Sequence, residues 1–358
     1  MSGRSLIVIV AILSVVALAC GPAASSASPG VSASASAEPA ASPSGESSAE
    51  PTQEPVALTV GLGFIPSVQF AQFYLADQAG YYEEAGLDVT FQNKIDPDLV
   101  TLVGQGSIDL GLADGTSVIP AVSNGIPIRY VATIYGRFPS IVFAKASSGI
   151  ANAADLKGRK LGIPGRFGSS WIMLQALLKS ADLTPEDLQI VEYPDFGQGA
   201  AVTQGAVDAA TGFANNEPVQ LELTGEEVTV LRVDEVTPLP GNGLIVGRDA
   251  LDSKGDAVTA FVAATLRAMD EIEKDPEKGL EAALTAVPEL ATTRDTQAAI
   301  LDATIDVWRG PVQETRGLGA IEPGDWEQSV AFMTELDLVP NPVTVEDLVD
   351  TGFLPQTG

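Results

Sequence analysis

Gln105-Gly106-Ser107-Ile108-Asp109 recurs 99 residues further on as Gln204-Gly205-Ala206-Val207-Asp208. Each copy reads as a helix end, a glycine turn and a strand entering a sheet. A polar turn follows each strand: Asp114-Gly115-Thr116-Ser117 in the first copy, Asn215-Asn216-Glu217-Pro218 in the second. Two βα units of one design, one per half, point to two similar lobes; the alternative is a five-residue pattern repeated by chance. Ligands in open α/β sheets sit beyond the carboxyl ends of strands, so the two turns are expected to face one cleft.

The rest of the chain from Val56 onward follows the same rhythm of short apolar strands and helical stretches. Strands are expected at Ala57–Phe64, Leu87–Gln92, Ile108–Ala113, Ile128–Tyr135, Ser140–Ala144, Lys160–Ile163, Leu188–Tyr193, Val207–Phe213, Val228–Val233 and Leu244–Gly247. Over Val258–Glu273 the residues Val258, Phe261, Val262, Leu266, Met269 and Ile272 fall on one helical face. Strands separated by helices imply an α/β fold with mostly parallel sheets.

Upstream the composition changes. Met1–Cys20 has the layout of a secretory signal, with Arg4 followed by an apolar run from Leu6 to Leu18. That run is shorter than the roughly 20 residues of a bilayer span. Its end, Ala17-Leu18-Ala19-Cys20, resembles the lipobox of bacterial lipoproteins, with Ala17 where leucine is usual. The alternative is an ordinary signal with a cysteine at the cleavage site. Residues 1–19 are thus expected to be removed, Cys20 to carry lipid, and the Ser/Ala/Pro-rich stretch to residue 55 to be a disordered tether. Such a tether reaches roughly 30–35 Å, which would hold the folded part at the extracytoplasmic face of the cell membrane.

Charge removes several functions. Against 47 Asp+Glu the 358-residue chain has 19 Lys+Arg and a formal charge of −28. Nucleic-acid binding by counterion release needs the opposite balance. The chain has no histidine, which excludes Ser-His-Asp and Cys-His catalysis and His-ligated metal sites. One cysteine permits no internal disulfide and no Cys-rich zinc site. No carboxylate pair stands out by spacing as an acid/base couple. No metal and no cofactor is expected.

Several stretches, in order and spacing, resemble the solute-binding proteins of ABC importers in the NMT1/THI5-like family, which handles thiamine-precursor pyrimidines, nitrate, sulfonates and taurine. They are Gly80–Val89, Gly106–Asp109, Gly125–Ile128, Asp155–Gly162 and Val207–Ala210. The resemblance covers about residues 57–350. It implies a type II periplasmic-binding-protein fold, two α/β lobes joined by two crossovers, here expected near Arg137–Ile141 and Pro238–Arg248. Lobe one would be 56–137 plus 250–358, lobe two 138–249, with the carboxyl-terminal helices packed on lobe one. Phe64–Phe70, Gly162–Gly168 and Phe213–Pro218 are most similar to the pyrimidine and riboflavin receptors, the last two to the riboflavin-binding branch. A fungal branch of the family makes the thiamine pyrimidine using histidine and a cysteine-rich motif, which this chain lacks.

The residues themselves suggest a ring site. Phe64, Tyr135, Phe138, Phe167, Trp171, Tyr193, Phe196 and Phe213 fall at strand ends and loops in a chain with only 6% aromatics. Each can clamp a flat ring or pack in the core; Trp171 is expected to face the ligand and Phe213 to be core. Ser67 lies in the first of the receptor-like stretches, and Asp195 can accept from a ring N–H or a ribityl hydroxyl. Asn215, Asn216 and Glu217 either read a pyrimidine edge or cap the helix that Pro218 begins. Arg137 and Arg166 lie over a ring, pair with Asp195, or are solvated. Asp114, Thr116 and the Gly165–Trp171 segment look like helix N-termini, which would suit an anion such as a sulfonate or nitrate. The number of aromatics and the negative surface favour a heteroaromatic solute.

The expected protein is therefore a monomeric, lipid-anchored importer receptor, not an enzyme. It would carry a small heteroaromatic vitamin, riboflavin by preference, to an ABC permease. A thiamine-precursor pyrimidine or a small anion are the alternatives within that role, and a structural cell-surface protein is the alternative outside it.

Overall fold

A computed structural model describes residues 54–95, 98–235 and 237–355. The expected signal segment, Cys20 and the tether up to residue 53 lie outside the described residues. All ten expected strands form, with ends moved by up to three residues. Numbered along the chain, β1 (Val56–Gly63), β2 (Leu87–Ile95), β3 (Leu110–Ala113), β4 (Ile128–Thr133) and β10 (Gly243–Gly247) make one sheet in the order β2-β1-β3-β10-β4. The second sheet holds β5 (Ser140–Lys145), β6 (Lys160–Ile163), β7 (Gln189–Glu192), β8 (Ala209–Phe213) and β9 (Val228–Arg232), in the order β7-β6-β8-β5-β9. The two orders have the same plan, so the lobes share a topology.

The sheets are mixed rather than mostly parallel. β10 runs antiparallel to both β3 and β4, and β5 antiparallel to both β8 and β9. Each is the first strand after a crossover and enters its sheet from the other lobe, which reverses its direction. The crossovers connect β4 to β5 and β9 to β10. The return to the first lobe therefore comes earlier than the expected boundary at residue 250, because the buried Leu244, Ile245 and Val246 fill the gap between β3 and β4.

The repeated pentapeptide has one job in both lobes. Gly106 and Gly205 sit at φ +71° and +70°, in the left-handed region that glycine enters at little cost. The turn then aims the following aspartate at the first parallel strand of its sheet. The backbone N–H of Thr59 donates to Asp109 Oδ2 at 2.9 Å, and that of Lys160 to Asp208 Oδ2 at 2.9 Å. Each aspartate returns its own N–H to the same residue's carbonyl, at 3.0 and 2.9 Å.

Helix Arg248–Lys274 buries the whole expected apolar face, Val258 through Ile272, in the first lobe's main core. Phe261 stacks on Tyr82 there, with ring centroids 4.9 Å apart. The later helices bury Trp308 and Trp326 against lobe one and also reach lobe two. Helix Arg294–Trp308 brings Thr304 to Asn215 of the second lobe, and helix Pro323–Glu335 is tied to Lys179 by a 2.7 Å ion pair. Both follow from the crossovers, which bring the lobes side by side under these helices. Among the described residues no helix is long and apolar enough to cross a membrane.

Candidate ligand-binding site

The carboxyl ends of β1, β3 and β4 in one lobe and of β6 and β8 in the other open onto a single cavity between the lobes. The cavity has a volume of about 140 Å³. The first lobe contributes Phe64, Phe70 and Tyr135, and the second Phe167, Phe196 and Phe213. Phe64 and Phe196 meet edge to face across the rim, with centroids 5.2 Å apart and planes at 88°. Phe196 is held at φ +59°, a region a bulky side chain rarely enters and that costs about 1–3 kcal/mol. That backbone is what turns its ring toward Phe64.

Two carboxyls face the cavity from opposite lobes. Asp114 follows β3 and caps helix Gly115–Ser123, accepting from the N–H groups of Thr116 at 2.9 Å and Ser117 at 3.2 Å and from the Thr116 hydroxyl. The Ser169 side chain, in the first turn of helix Gly168–Lys179, stands near the same carboxyl from the other side of the cleft and acts to lower its pKa. Burial pushes the Asp114 carboxyl above its ordinary value in spite of these bonds. Glu217 opens helix Glu217–Glu222, and its Oε2 accepts from the Phe213 N–H at 2.8 Å. Burial raises it to about 6. A Cβ on Gly212 would stand 2.8 Å from that oxygen, so the strand can pass the carboxylate only as glycine.

Amides complete the lining. Gln72 is fully buried on helix Ala71–Gln78, and neither end of its carboxamide has a hydrogen-bond partner. The oxygens of Gln198 and Asn242 are also unpartnered, and all three residues line the cavity. A buried amide without a partner costs roughly 1–3 kcal/mol, and a ligand carrying a carbonyl and an N–H would relieve it. Among the described residues no lysine or arginine lines the cavity.

Of the residues singled out in the sequence, Phe64, Asp114, Tyr135, Phe167, Phe196, Asn216 and Glu217 lie in this lining. Others stand behind it. Ser67 accepts from Gln69 Nε2 at 3.1 Å, Thr116 bonds Asp114, and the buried Asn215 donates to Gln69 at 3.0 Å and Thr304 at 2.9 Å. The remainder lie elsewhere. Trp171 packs on the second lobe's core with the Arg166 guanidinium 5.1 Å from its ring, so it does not face the cavity. Arg166 pairs with Glu192 rather than Asp195, at 3.3 Å. Phe138 is buried in that core, Tyr193 packs against a smaller apolar cluster, and the exposed Asp195 caps the Gly197 N–H at 3.2 Å. Arg137 lies in a separate groove and donates to the Arg309 carbonyl. Phe213, expected in the core, lines the cavity because β8 ends beside it.

Gln69, Phe70, Gln72, Ser169, Ser170 and Gln198 are lining residues that the sequence reading passed over. The available signal was polar: Gln69 and Gln72 interrupt the mostly apolar stretch Val68–Ala76 three residues apart.

Two α/β lobes with one cavity between them define a class. The chain aligns with the periplasmic aliphatic sulphonate binding protein SsuA from Escherichia coli at a TM-score of 0.65 and 22% identity, covering 82% of this chain and 97% of that one. The fold is thus the type II periplasmic-binding-protein fold. Residues 67–279 match the family described as NMT1/THI5 like, and the chain belongs to that family. It is 32% identical over 302 residues to riboflavin-binding protein RibY of Chloroflexus aurantiacus, covering 83% of this chain and 86% of that protein. It is also 27% identical over 249 residues to the 4-amino-5-hydroxymethyl-2-methylpyrimidine phosphate synthase THI13 of Saccharomyces cerevisiae, covering 65% and 72%.

Proposed function

We propose that the protein is the extracytoplasmic solute-binding component of an ABC importer. It captures a small heteroaromatic vitamin between its lobes, riboflavin by preference, and delivers it to a permease. The observation that carries this reading is the cavity lining: aromatic rings from both lobes, two carboxyls, unpartnered amides and no cationic side chain. A flat ring gains on the order of 0.5–1.5 kcal/mol per aromatic contact beyond burial. The carboxyls and amides supply acceptors for ring N–H and ribityl hydroxyl groups and donors for ring carbonyls. The likeness to RibY supports riboflavin.

A thiamine-precursor pyrimidine is the second reading, supported by the pyrimidine in the name of THI13. A sulfonate or nitrate would meet two carboxyls and no cation. The likeness to SsuA concerns the fold alone.

Capture proceeds by hinge closure. The open receptor admits the solute, residues from both lobes desolvate it, and the closed form is what the permease recognises. Phe64 meets Phe196 and Asn215 meets Gln69 between the lobes, contacts that opening would break. A binding role without catalysis is supported by the engagement of both cavity carboxyls in backbone hydrogen bonds and by the absence of histidine from the sequence. Lipid on Cys20 and the tether after it would keep this monomeric receptor beside its permease at the outer face of the membrane.

The test is a titration of the purified protein with riboflavin, following flavin and tryptophan emission. Saturable quenching at micromolar or lower concentration is the expected result. Silence toward riboflavin, with a thermal shift from the thiamine pyrimidine, would move the solute and keep the receptor. Silence toward both would sink the reading.

A further inference from the structure

Helix Gly115–Ser123 of the first lobe and helix Gly168–Lys179 of the second both begin at the cavity wall, where Asp114 and Gly168–Ser170 line it. Free N–H groups and the dipole make such a point attractive to an anion. Here the protein's own carboxylate stands on it. Asp114 is 3% exposed and takes two N–H groups of the first helix's opening turn, while Ser169 of the second helix's first turn lies near it in the same cavity lining. Glu217 adds a second carboxyl to the same cavity from the other lobe, and among the described residues no lysine or arginine lines it to balance them.

We infer that Asp114 is a built-in anion that fills the seat a phosphate or sulfonate would take, and that with Glu217 it restricts the cavity to solutes bearing neither group. This deepens the receptor reading and rests on it for the identity of the solute. It also places the protein in a sequence of reactions. A phosphate monoester of the solute must first lose its phosphoryl group to water, giving the free alcohol and inorganic phosphate. Capture follows that hydrolysis.

The experiment compares riboflavin with riboflavin 5′-phosphate on the full chain, and in parallel records thermal shifts with sulfate and methanesulfonate. The wild type is expected to bind the phosphate ester at least about tenfold more weakly than the alcohol, since like charges facing each other in a site are strongly unfavourable. It should show no stabilisation by either anion. D114G vacates the seat while glycine remains a tolerated helix cap, and should narrow the ratio at least threefold and gain a positive shift with sulfate. E217Q should narrow the ratio without the sulfate response. Equal affinity of the wild type for ester and alcohol would overturn the inference, as would a D114G variant still blind to ester and sulfate. Should the wild type ignore riboflavin altogether, the solute assignment fails, while the sulfate comparison still decides the role of Asp114.

Discussion

Asn215, just past the end of β8, donates its amide to Gln69 Oε1 in the other lobe at 3.0 Å, and to Thr304 Oγ1 at 2.9 Å. Gln69 in turn donates to Ser67 at 3.1 Å, so an unbroken chain of side chains crosses the cleft. All of Asn215 is buried, which makes the link costly to lose. Asn215→Ala leaves the Gln69 oxygen and the Thr304 hydroxyl without this partner and should cost about 1–3 kcal/mol. Urea unfolding would measure it, and small-angle scattering should show a larger mean radius as the open form gains population. A variant as stable and as compact as wild type would rule out a latch.

Glu217 makes the protein's stability depend on pH in a defined direction. Burial raises this carboxyl to about 6. A raised carboxyl favours the fold while protonated, so its contribution is complete below the ordinary glutamate range and is lost as pH rises through about 6. Glu217→Gln removes the charge and retains an acceptor for the Phe213 N–H. The variant should gain on the wild type between pH 4.5 and 7.5, by on the order of 1–2 kcal/mol. Parallel pH profiles of the two proteins would contradict the buried carboxyl.

Two aromatics that look alike in the sequence should behave differently. Phe64 lines the cavity and meets Phe196 across it, whereas Trp171 packs on the second lobe's core. Phe64→Ala should weaken solute binding by about 0.5–1.5 kcal/mol. Trp171→Ala should cost stability and leave affinity within about 0.5 kcal/mol. Affinities from equilibrium dialysis, read beside melting temperatures, separate the two effects; a reversed pattern would put Trp171 in the site.

The repeated aspartates offer an internal control. Asp109 and Asp208 brace equivalent strands, but Asp109 also holds Lys254 at 2.8 Å. Asp208→Ala should cost about 1 kcal/mol for the lost backbone bond, and Asp109→Ala more, because its ion pair is lost as well. Denaturation midpoints of the two variants would settle the order.

The strands were legible because each is a short apolar run closed by glycine, proline or a polar turn. The direction of β5 and β10 was not, since pairing depends on which lobe a strand enters from, and no local pattern carries that. The repeat at Gln105 and Gln204 was informative because a left-handed glycine and a strand-bracing aspartate leave a sequence trace. In the site, Asp114 and Glu217 were visible as polar residues following strands. Gln72 and Gln198 were not, because a glutamine inside a helix reads as surface until the burial of its neighbours is known. Trp171 was misjudged for the converse reason: position at a helix start does not say which face a side chain takes.

The most direct measurement is a crystal structure of the protein with riboflavin bound. The account expects the ring system between the aromatic side chains of both lobes, its polar edge at Gln72 and Glu217, with Asp114 still capping its helix. A ring bound outside this cavity, or held there by displacement of Asp114, would contradict it.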